Sequence, residues 1–146
     1  MRSQALWHCF FAIVDYTSFS FIMKIRIAGS SIRFRLKQPE VKMFSQQQSI
    51  TEIIEFGMSR PDQLRFVLKA ANADQLSIAF DEHTITLNVP QQLINEWTTT
   101  DLVGFEETVK AKDGKTIKVL VEKDFACLDK GSEENKGTYP NPKAMC

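Results

Sequence analysis

The feature that most constrains the fold of this chain is an internal repeat of apolar positions at a fixed spacing. Ile25 and Ile78 form one such pair, 53 positions apart (78 − 25 = 53). Because the spacing is odd, alternation of polar and apolar residues, which repeats every two positions, does not explain it. The ungapped alignment pairs Ile25, Ile27, Ile32, Phe34, Leu36, Val41, Phe44, Ile50, Phe56, Leu64, Phe66 and Leu68 with Ile78, Phe80, Ile85, Leu87, Val89, Ile94, Trp97, Val103, Val109, Ile117, Val119 and Val121. The sequence therefore predicts two equivalent units that pack on one another.

The first unit is predicted to place four strands around one helix. Polar and apolar residues alternate on both sides of Gly29-Ser30, which is typical of a β-hairpin. Pro39 then stands near the start of a predicted helix, and strand-like stretches follow at 50–56 and 64–70.

The second unit repeats this order and ends in a hairpin. Its helix is predicted to begin around Pro90, and Asp113-Gly114 is a strong signal for the last hairpin turn. The expected fold is therefore α+β, with a tandem β-β-α-β-β duplication over 24–70 and 77–122. Eight antiparallel strands would form one sheet or a wide barrel, with two short helices.

The duplicated domain, predicted at 23–122, is flanked by two segments of different character. Residues 1–22 are apolar and aromatic, interrupted by Asp15. An upstream extension outside the fold, with Met23 as the natural start, is favoured over a targeting segment or a structural element. Residues 123–146 are polar and lack periodicity, so they are predicted to form an irregular tail.

Charge and cysteine content exclude several classes of protein. The chain carries 18 Lys and Arg against 18 Asp and Glu, so it lacks the strong basic excess of a general nucleic-acid or membrane-surface binder. Three Cys without a Cys-x-x-Cys pair exclude a disulfide scaffold and a standard zinc ribbon. Cys127 and Cys146 are interpreted as free thiols in a reducing cytoplasm, with a disulfide or a metal site as the alternatives.

The most distinctive candidate site is a set of cations that share the polar phase of their strands. In a wide barrel with its polar face inward, these cations would line a channel for an anion, to which Arg offers a bidentate fork. The alternative is a solvated face whose cations pair with acids on neighbouring strands, such as Glu55, Asp81, Glu106 and Glu122. The candidate ligand-binding residues are Lys24, Arg26, Arg33, Arg35, Lys37, Arg65 and Lys69.

Catalytic and metal-binding signals are weak by comparison. Glu55, Asp81 and Glu106 are the candidate ligands for Mg²⁺ or Mn²⁺, as a phosphoryl-transfer enzyme would need, but their spacing is not diagnostic. His83 stands at a predicted hairpin turn and is interpreted as a turn residue. No catalytic residue or resident cofactor is assigned.

Two resemblances to known families bear on function. The duplicated strand and helix order resembles the wide barrel of the CYTH-like triphosphate tunnel enzymes. That family carries Glu-x-Glu-x-Lys on its first strand, whereas this chain reads Lys24-Ile25-Arg26-Ile27. A second resemblance, to an uncharacterised family of small bacterial proteins, covers about 23–142. It rests on MKIRI, SIRFRL, TDLVGFE, VEKDFACLD and YPNP, and it implies no activity.

The sequence thus favours a small non-catalytic binding or accessory protein in the cytoplasm. Its basic hairpin face would hold an anionic small molecule or an acidic protein surface, while nucleic acid and membranes are not expected partners. The alternative is a divergent CYTH-like, metal-dependent hydrolase of phosphate esters. The oligomeric state is left open.

Overall fold

A computed structural model describes residues 22–144 of the chain. In this part of the chain, strands and two helices alternate in the predicted order. The elements are β1 (Lys24–Ala28), β2 (Ser31–Leu36), α1 (Gln38–Gln47), β3 (Ser49–Glu55), β4 (Gln63–Ala71), β5 (Ser77–Asp81), β6 (Thr84–Pro90), α2 (Gln91–Thr99), β7 (Gly104–Lys110) and β8 (Thr116–Lys123). The α+β class is confirmed. Of the predicted N-terminal extension, all but Ile22 lies outside the described residues.

The strands form two mixed sheets of four, and the prediction of one eight-stranded antiparallel sheet or wide barrel was wrong. Sheet A has the order β1-β2-β8-β7, and sheet B has the order β3-β4-β6-β5. Each sheet joins one hairpin from each unit, through the parallel pairs β2/β8 and β4/β6. The alternating pattern fixes which face of a strand is buried, but it does not fix which edge pairs with which.

The strand registers show that the two sheets are equivalent. Ser31 lies opposite Lys118 in sheet A, and Thr84 lies opposite Arg65 in sheet B. Adding 53 to Ser31 gives Thr84, and subtracting 53 from Lys118 gives Arg65. The duplication therefore exchanges sheet A with sheet B, each strand taking the place of its copy.

The ungapped alignment fails in one strand of each unit. Ile50 pairs with Leu68, and Phe105 pairs with Val121, the counterpart of Leu68 (68 + 53 = 121). The counterpart of Ile50 is therefore Phe105 and not Val103. The shift arises because residues 100–103 separate α2 from β7, whereas Gln48 alone separates α1 from β3.

Apolar side chains of both sheets and both helices share one core. The fully buried inner positions include Phe34 on β2 and Leu87 on β6, which are counterparts, and the helices contribute Phe44 and Trp97. The Trp97 indole N–H donates to the Val103 carbonyl over 3.1 Å, and its ring meets that of Phe105 edge-on. The predicted helix faces are thus core positions.

The two ends of the core are covered differently. Both helices follow the ends of β2 and β6, so they lie at one end, which we call the helix end. All four hairpin connections precede β2, β4, β6 and β8 and lie at the opposite end, which we call the turn end. Glu82 and His83 form one of these turns, both at positive φ, as do Asp113 and Gly114.

The C-terminal segment after β8 is irregular but docked. Phe125 forms a parallel bridge with Tyr139, and their rings lie 5.8 Å apart. The Gln38 N–H at the start of α1 donates to the Gly137 carbonyl over 2.9 Å. The segment is thereby held against the helix end. Between Ile22 and Ala144, no helix is long and apolar enough to cross a membrane.

Candidate functional site

The outward surface of sheet A carries the cations of the first hairpin. On β2, Ile32, Phe34 and Leu36 are buried, so Arg33 and Arg35 point away from the core. The outward positions of β1, β8 and β7 follow from the strand registers. Together they form a surface that we call the basic face: Lys24, Arg26, Arg33, Arg35, Lys110 and Lys118, with Glu106 and Glu122 among them.

One carboxylate oxygen serves two guanidinium groups on the basic face. Glu122 Oε1 lies 2.7 Å from an Arg33 terminal nitrogen and 2.6 Å from Arg35 Nε. The Arg33 and Arg35 side chains remain 31% and 37% exposed. Because one negative charge is shared by two positive charges, this cluster keeps a positive charge toward solvent.

The two cations of β1 differ in their partners. Lys24 Nζ lies 2.6 Å from the carboxylate of Asp124, which is itself buried. The Arg26 side chain is exposed and has neither a hydrogen bond nor an ion pair within residues 22–144. It lies directly opposite Arg33 on β2. Arg26 is therefore the cation of this hairpin that is free to meet a ligand.

The structure does not bring the other predicted anion-binding residues to the basic face. Lys37 lies beyond the end of β2, where it precedes α1. Arg65 and Lys69 are on β4, in sheet B; the Arg65 guanidinium donates to the Gln63 side chain, and Lys69 is exposed. Of the seven predicted cations, those on β1 and β2 thus form a cluster, and the other three lie apart.

The three carboxylates predicted to bind a metal lie on separate strands. Glu55 ends β3 and Asp81 ends β5, which are the opposite edges of sheet B. Glu106 is on β7 of sheet A, 2.9 Å from Lys118 Nζ. Across residues 22–144, no group of three His, Cys, Asp or Glu side chains is placed to hold a metal ion. Cys127 is a free, exposed thiol, and Cys146 lies outside the described residues.

The counterpart hairpin in sheet B has the same backbone and different outward residues. The positions of Lys24, Arg26, Arg33 and Arg35 are occupied 53 residues later by Ser77, Ala79, Thr86 and Asn88. The Asn88 amide donates to the Ser77 hydroxyl over 3.2 Å, where sheet A has the facing pair Arg35 and Lys24. Cations at these positions are thus a property of one copy and not of the fold.

Comparison with known proteins identifies the family but not an activity. Residues 23–143 match the family DUF7009, a family of unknown function. The chain belongs to this family. Neither a search of curated proteins nor a search of solved structures finds a match. The predicted membership of an uncharacterised family is confirmed, whereas nothing supports the resemblance to the triphosphate tunnel fold.

This DUF7009 member also has a buried carboxyl group that the sequence did not reveal. Glu40 on α1 is fully buried; one carboxylate oxygen accepts the Lys37 N–H over 2.6 Å, and the other has no partner. Burial raises the pKa of the Glu40 carboxyl, although the Lys37 N–H and charge oppose the rise. The one available signal was Glu40 as the only acid among the cations of residues 24–47.

Polar contacts of Lys123 lie where the docked C-terminal segment meets the domain. The Lys123 ammonium donates to the Thr100 carbonyl over 2.7 Å and lies over the Tyr139 ring. Burial also raises the pKa of the Tyr139 hydroxyl and that of Glu52, whose carboxylate accepts the Met23 N–H. These contacts secure the helix end of the fold and lie inside it, away from the outward basic face.

Proposed function

We propose that this protein is a non-catalytic binding protein that holds an anionic partner on the basic face of sheet A. The observation that carries the proposal is the comparison of the two hairpins. Ser77, Ala79, Thr86 and Asn88 build the same hairpin without cations, so folding does not require Lys24, Arg26, Arg33 and Arg35.

The cations of the first hairpin also oppose folding to a small degree. Arg26 faces Arg33 and Lys24 faces Arg35 across the β1/β2 pair. Like charges directly opposite one another destabilise a strand pair, by roughly 0.2–1 kcal/mol each. Glu122 and Asp124 reduce this repulsion, but they leave Arg26 unpaired. Arg26 thus adds repulsion without a side-chain partner among the described residues, as is expected where a ligand supplies the missing negative charge.

The shape of the basic face favours an extended acidic surface over a single small ion. Its cations lie on neighbouring strands about 4.8 Å apart, on the outside of the sheet. The guanidinium groups of Arg33 and Arg35 use only part of their five N–H donors on Glu122. Several carboxylates on one partner could therefore bind at once, so we propose the acidic surface of another protein.

We place this function in the cytoplasm and without a metal or cofactor. Cys127 is an exposed thiol, which persists best in a reducing compartment. The metal-dependent hydrolase of the alternative would require carboxylates gathered around a metal, and Glu55, Asp81 and Glu106 are on three strands of two sheets. No observation on the described residues favours the hydrolase over binding.

A binding measurement with a matched pair of charge reversals tests the proposal. The probe is a fluorescent glutamate-rich peptide, and binding is followed by fluorescence anisotropy at low and physiological salt. Arg26→Glu is expected to weaken binding at least about tenfold, because it reverses the unpaired charge of the face. Lys69→Glu makes the same charge change on the exposed surface of sheet B and is expected to weaken binding less than about twofold.

Two outcomes would contradict the proposal. Equal weakening by both variants would mean that the peptide responds to net charge alone, and no binding by the unaltered protein would remove the acidic partner. Thermal melting with tripolyphosphate, with and without Mg²⁺, covers the small-anion alternative. A metal-independent stabilisation that Arg26→Glu abolishes would identify a small anion as the ligand of the same face.

A further inference from the structure

We propose a second binding site, for a fatty acid or another single-chain carboxylate, in an apolar crevice at the turn end. The crevice lies between β5 and the connection of β7 to β8. None of its residues belongs to the basic face, so this site is independent of the function proposed above. It is lined by Ile32, Ile78, Ala79, Phe80, Ile85, Ala111, Lys112, Lys115 and Ile117.

The size and lining of the crevice suit an alkyl chain. Its volume is about 670 Å³, within the range of small-molecule sites, and its wall is almost entirely aliphatic or aromatic. Ile32, Ile85 and Ile117 are the second residues of the central strands β2, β6 and β8. Because all three side chains belong to the core or pack against it, the floor of the crevice is continuous with the core.

The crevice forms at the turn end because the strands carry inward apolar side chains there, beyond the part of the core that the two helices cover. Phe80 and Ile85 are cross-strand neighbours on the inner side of sheet B, like Ile78 and Leu87 one step further in. Leu87 is fully buried, whereas Phe80 is 71% exposed. The helices cover the opposite end, and within residues 22–144 most of the Phe80 surface is left uncovered. An inward aromatic ring left in water is the typical wall of an apolar ligand site.

Two lysines at the rim determine the charge of the ligand. Lys112 and Lys115 are on the connection of β7 to β8, and neither has an ion pair within the described part of the chain. Asp113 lies between them at positive φ, next to Gly114. Hydrogen bonds from the Ala111 N–H to the Lys115 carbonyl and from the Lys115 N–H to the Lys112 carbonyl fix the turn. Two ammonium groups beside an apolar cleft favour a carboxylate attached to an alkyl chain.

A second copy of the chain fits this crevice less well than a fatty acid. In a twofold-symmetric dimer the same surface of each copy faces the other. A dimer that buries the crevice would therefore hold Lys112 and Lys115 of both copies in one interface, and the crevice lining itself offers no carboxylate to pair with them. A carboxylate head group removes this repulsion, so charge complementarity selects the amphiphilic anion.

The test compares ligands that share one alkyl chain and differ in head group. The full chain is titrated with dodecanoate below its micelle concentration, and binding is followed by amide chemical shifts in nuclear magnetic resonance. Dodecanoate is expected to shift the amides of Phe80, Ile85 and Ile117 and to bind at least about tenfold more tightly than dodecyltrimethylammonium or dodecyl maltoside. Acetate, the head group alone, is expected not to bind.

Matched variants separate the crevice from general effects of charge and hydrophobicity. Lys112→Glu with Lys115→Glu is expected to weaken dodecanoate binding at least about tenfold, while Lys42→Glu with Lys69→Glu, an equal charge change elsewhere, leaves it within about twofold. Phe80→Asp is expected to abolish the shifts. Ile27→Asp, at the counterpart position of β1, is expected to preserve them; both side chains are exposed, so the fold should persist.

The proposal is overturned if the three head groups bind equally, or if the lysine and control pairs have the same effect. It is also overturned if sedimentation shows a dimer that Phe80→Asp dissociates, because the occupant would then be a second copy. Arg26→Glu should leave dodecanoate binding unchanged, so failure at one site is distinguishable from failure at the other.

Discussion

Sheets A and B have the same registers between corresponding hairpins, yet their outer surfaces have different chemistry. The inner positions match in kind, as Phe34 and Leu87 illustrate, whereas the outer positions change from Arg33 to Thr86 and from Arg35 to Asn88. The comparison works as an internal control, because each sheet shows what the other needs in order to fold. Residues that the two sheets share specify the scaffold, and residues that only one sheet has are candidates for function.

The helices differ in the same informative way. Glu40 of α1 has Leu93 of α2 as its counterpart (40 + 53 = 93), so one copy of the helix packs without a buried carboxyl group. The Glu40 carboxylate does accept the Lys37 N–H at the start of α1, so it satisfies one free donor of the helix terminus. The carboxyl group is thus a local feature of the first unit, and because burial disfavours its charged form, its pKa is raised.

The largest expected effect tests whether the two sheets depend equally on the shared core. Phe34→Ala and Leu87→Ala each remove a fully buried side chain at the same position of the two sheets. Both are expected to lower the free energy of unfolding by about 3–5 kcal/mol, because they create a cavity beside the shared core. Urea unfolding followed by circular dichroism measures this. A loss below about 1 kcal/mol at either position would show that one sheet does not depend on the core.

The next effect contrasts the outward acid of β8 with its counterpart in β4. Glu122→Gln removes the carboxylate that Arg33 and Arg35 share, so it is expected to destabilise the fold by about 1–3 kcal/mol. Lys69→Gln, at the counterpart position, removes an exposed charge and is expected to cost less than about 0.5 kcal/mol. Equal losses in urea unfolding would mean that the ion pairs do not distinguish the two sheets.

An effect of intermediate size follows from the buried Glu40. A carboxyl group with a raised pKa in the folded state binds its proton more tightly there than in the unfolded chain. The contribution of Glu40 to the free energy of unfolding is therefore most favourable below pH 4.5, the ordinary pKa of a glutamate carboxyl. This contribution is lost as the pH rises through the higher pKa of the folded state. Glu40→Gln removes this loss, so the stability of the variant relative to the unaltered protein is expected to increase with pH above 4.5.

Denaturant unfolding at several pH values measures this difference. Glu106→Gln, which changes an exposed carboxylate on β7, serves as the control and should show no comparable trend. A pH profile for Glu40→Gln parallel to that of the unaltered protein would contradict burial as the cause of the raised pKa.

Grafting the basic face onto sheet B would sharpen the comparison directly. The variant combines Ser77→Lys, Ala79→Arg, Thr86→Arg and Asn88→Arg with Lys69→Glu, which supplies the counterpart of Glu122. It is expected to bind the glutamate-rich peptide at two sites, the second within about tenfold of the first, or about 1.4 kcal/mol. The stoichiometry from calorimetry measures this, and a single site on a folded variant would show that outward charge alone is insufficient.

The smallest effect concerns the two hairpin turns. Gly29 has positive φ in the first hairpin, whereas Glu82 and His83 adopt positive φ in the second. Gly29→Ala is expected to cost about 1 kcal/mol, and His83→Gly is expected to gain about 0.5–1 kcal/mol by relieving strain at a residue that has a Cβ. Thermal melting of both variants checks the opposite signs. A loss of stability in His83→Gly would mean that the imidazole makes a contact that outweighs the strain.

How much of this fold the sequence predicted depends on whether the information was local. Alternation around Gly29-Ser30 predicted the first hairpin, and the match of Phe44 with Trp97 predicted both the duplication and the helix faces. The parallel pairing of β2 with β8 was not predicted, because a strand edge carries no side-chain signal for its partner. The equivalence of Ile50 with Phe105 was missed because an ungapped alignment cannot allow for the longer connection between helix and strand in the second unit.

The candidate site shows the same division. The alternation of β2 placed Arg33 and Arg35 on one face, but whether that face pointed to a channel or to solvent depended on how the sheets pack. An ion pair between these arginines and Glu122 was one of the alternatives. It could be assigned only from the register between β2 and β8, which the structure supplies. The apolar crevice was not foreseen, because Phe80 has the pattern of a core residue and only the arrangement of helices and turns leaves it exposed.

The exchange of hairpins between the two sheets has a consequence for biosynthesis and ancestry. Neither of the two repeated units contains a complete sheet, since β2 of the first unit pairs with β8 of the second, and β4 of the first pairs with β6 of the second. During translation, sheet B can be completed once β6 has left the ribosome, whereas the β1/β2 hairpin must remain without its partner strand until β8 has emerged. By the same geometry, two separate copies of one half could complete each other's sheets, so the present chain has the form of a fused homodimer. A single β-β-α-β-β unit would be enough to build such a dimer, but only a fused chain can carry cations on one sheet and not on the other.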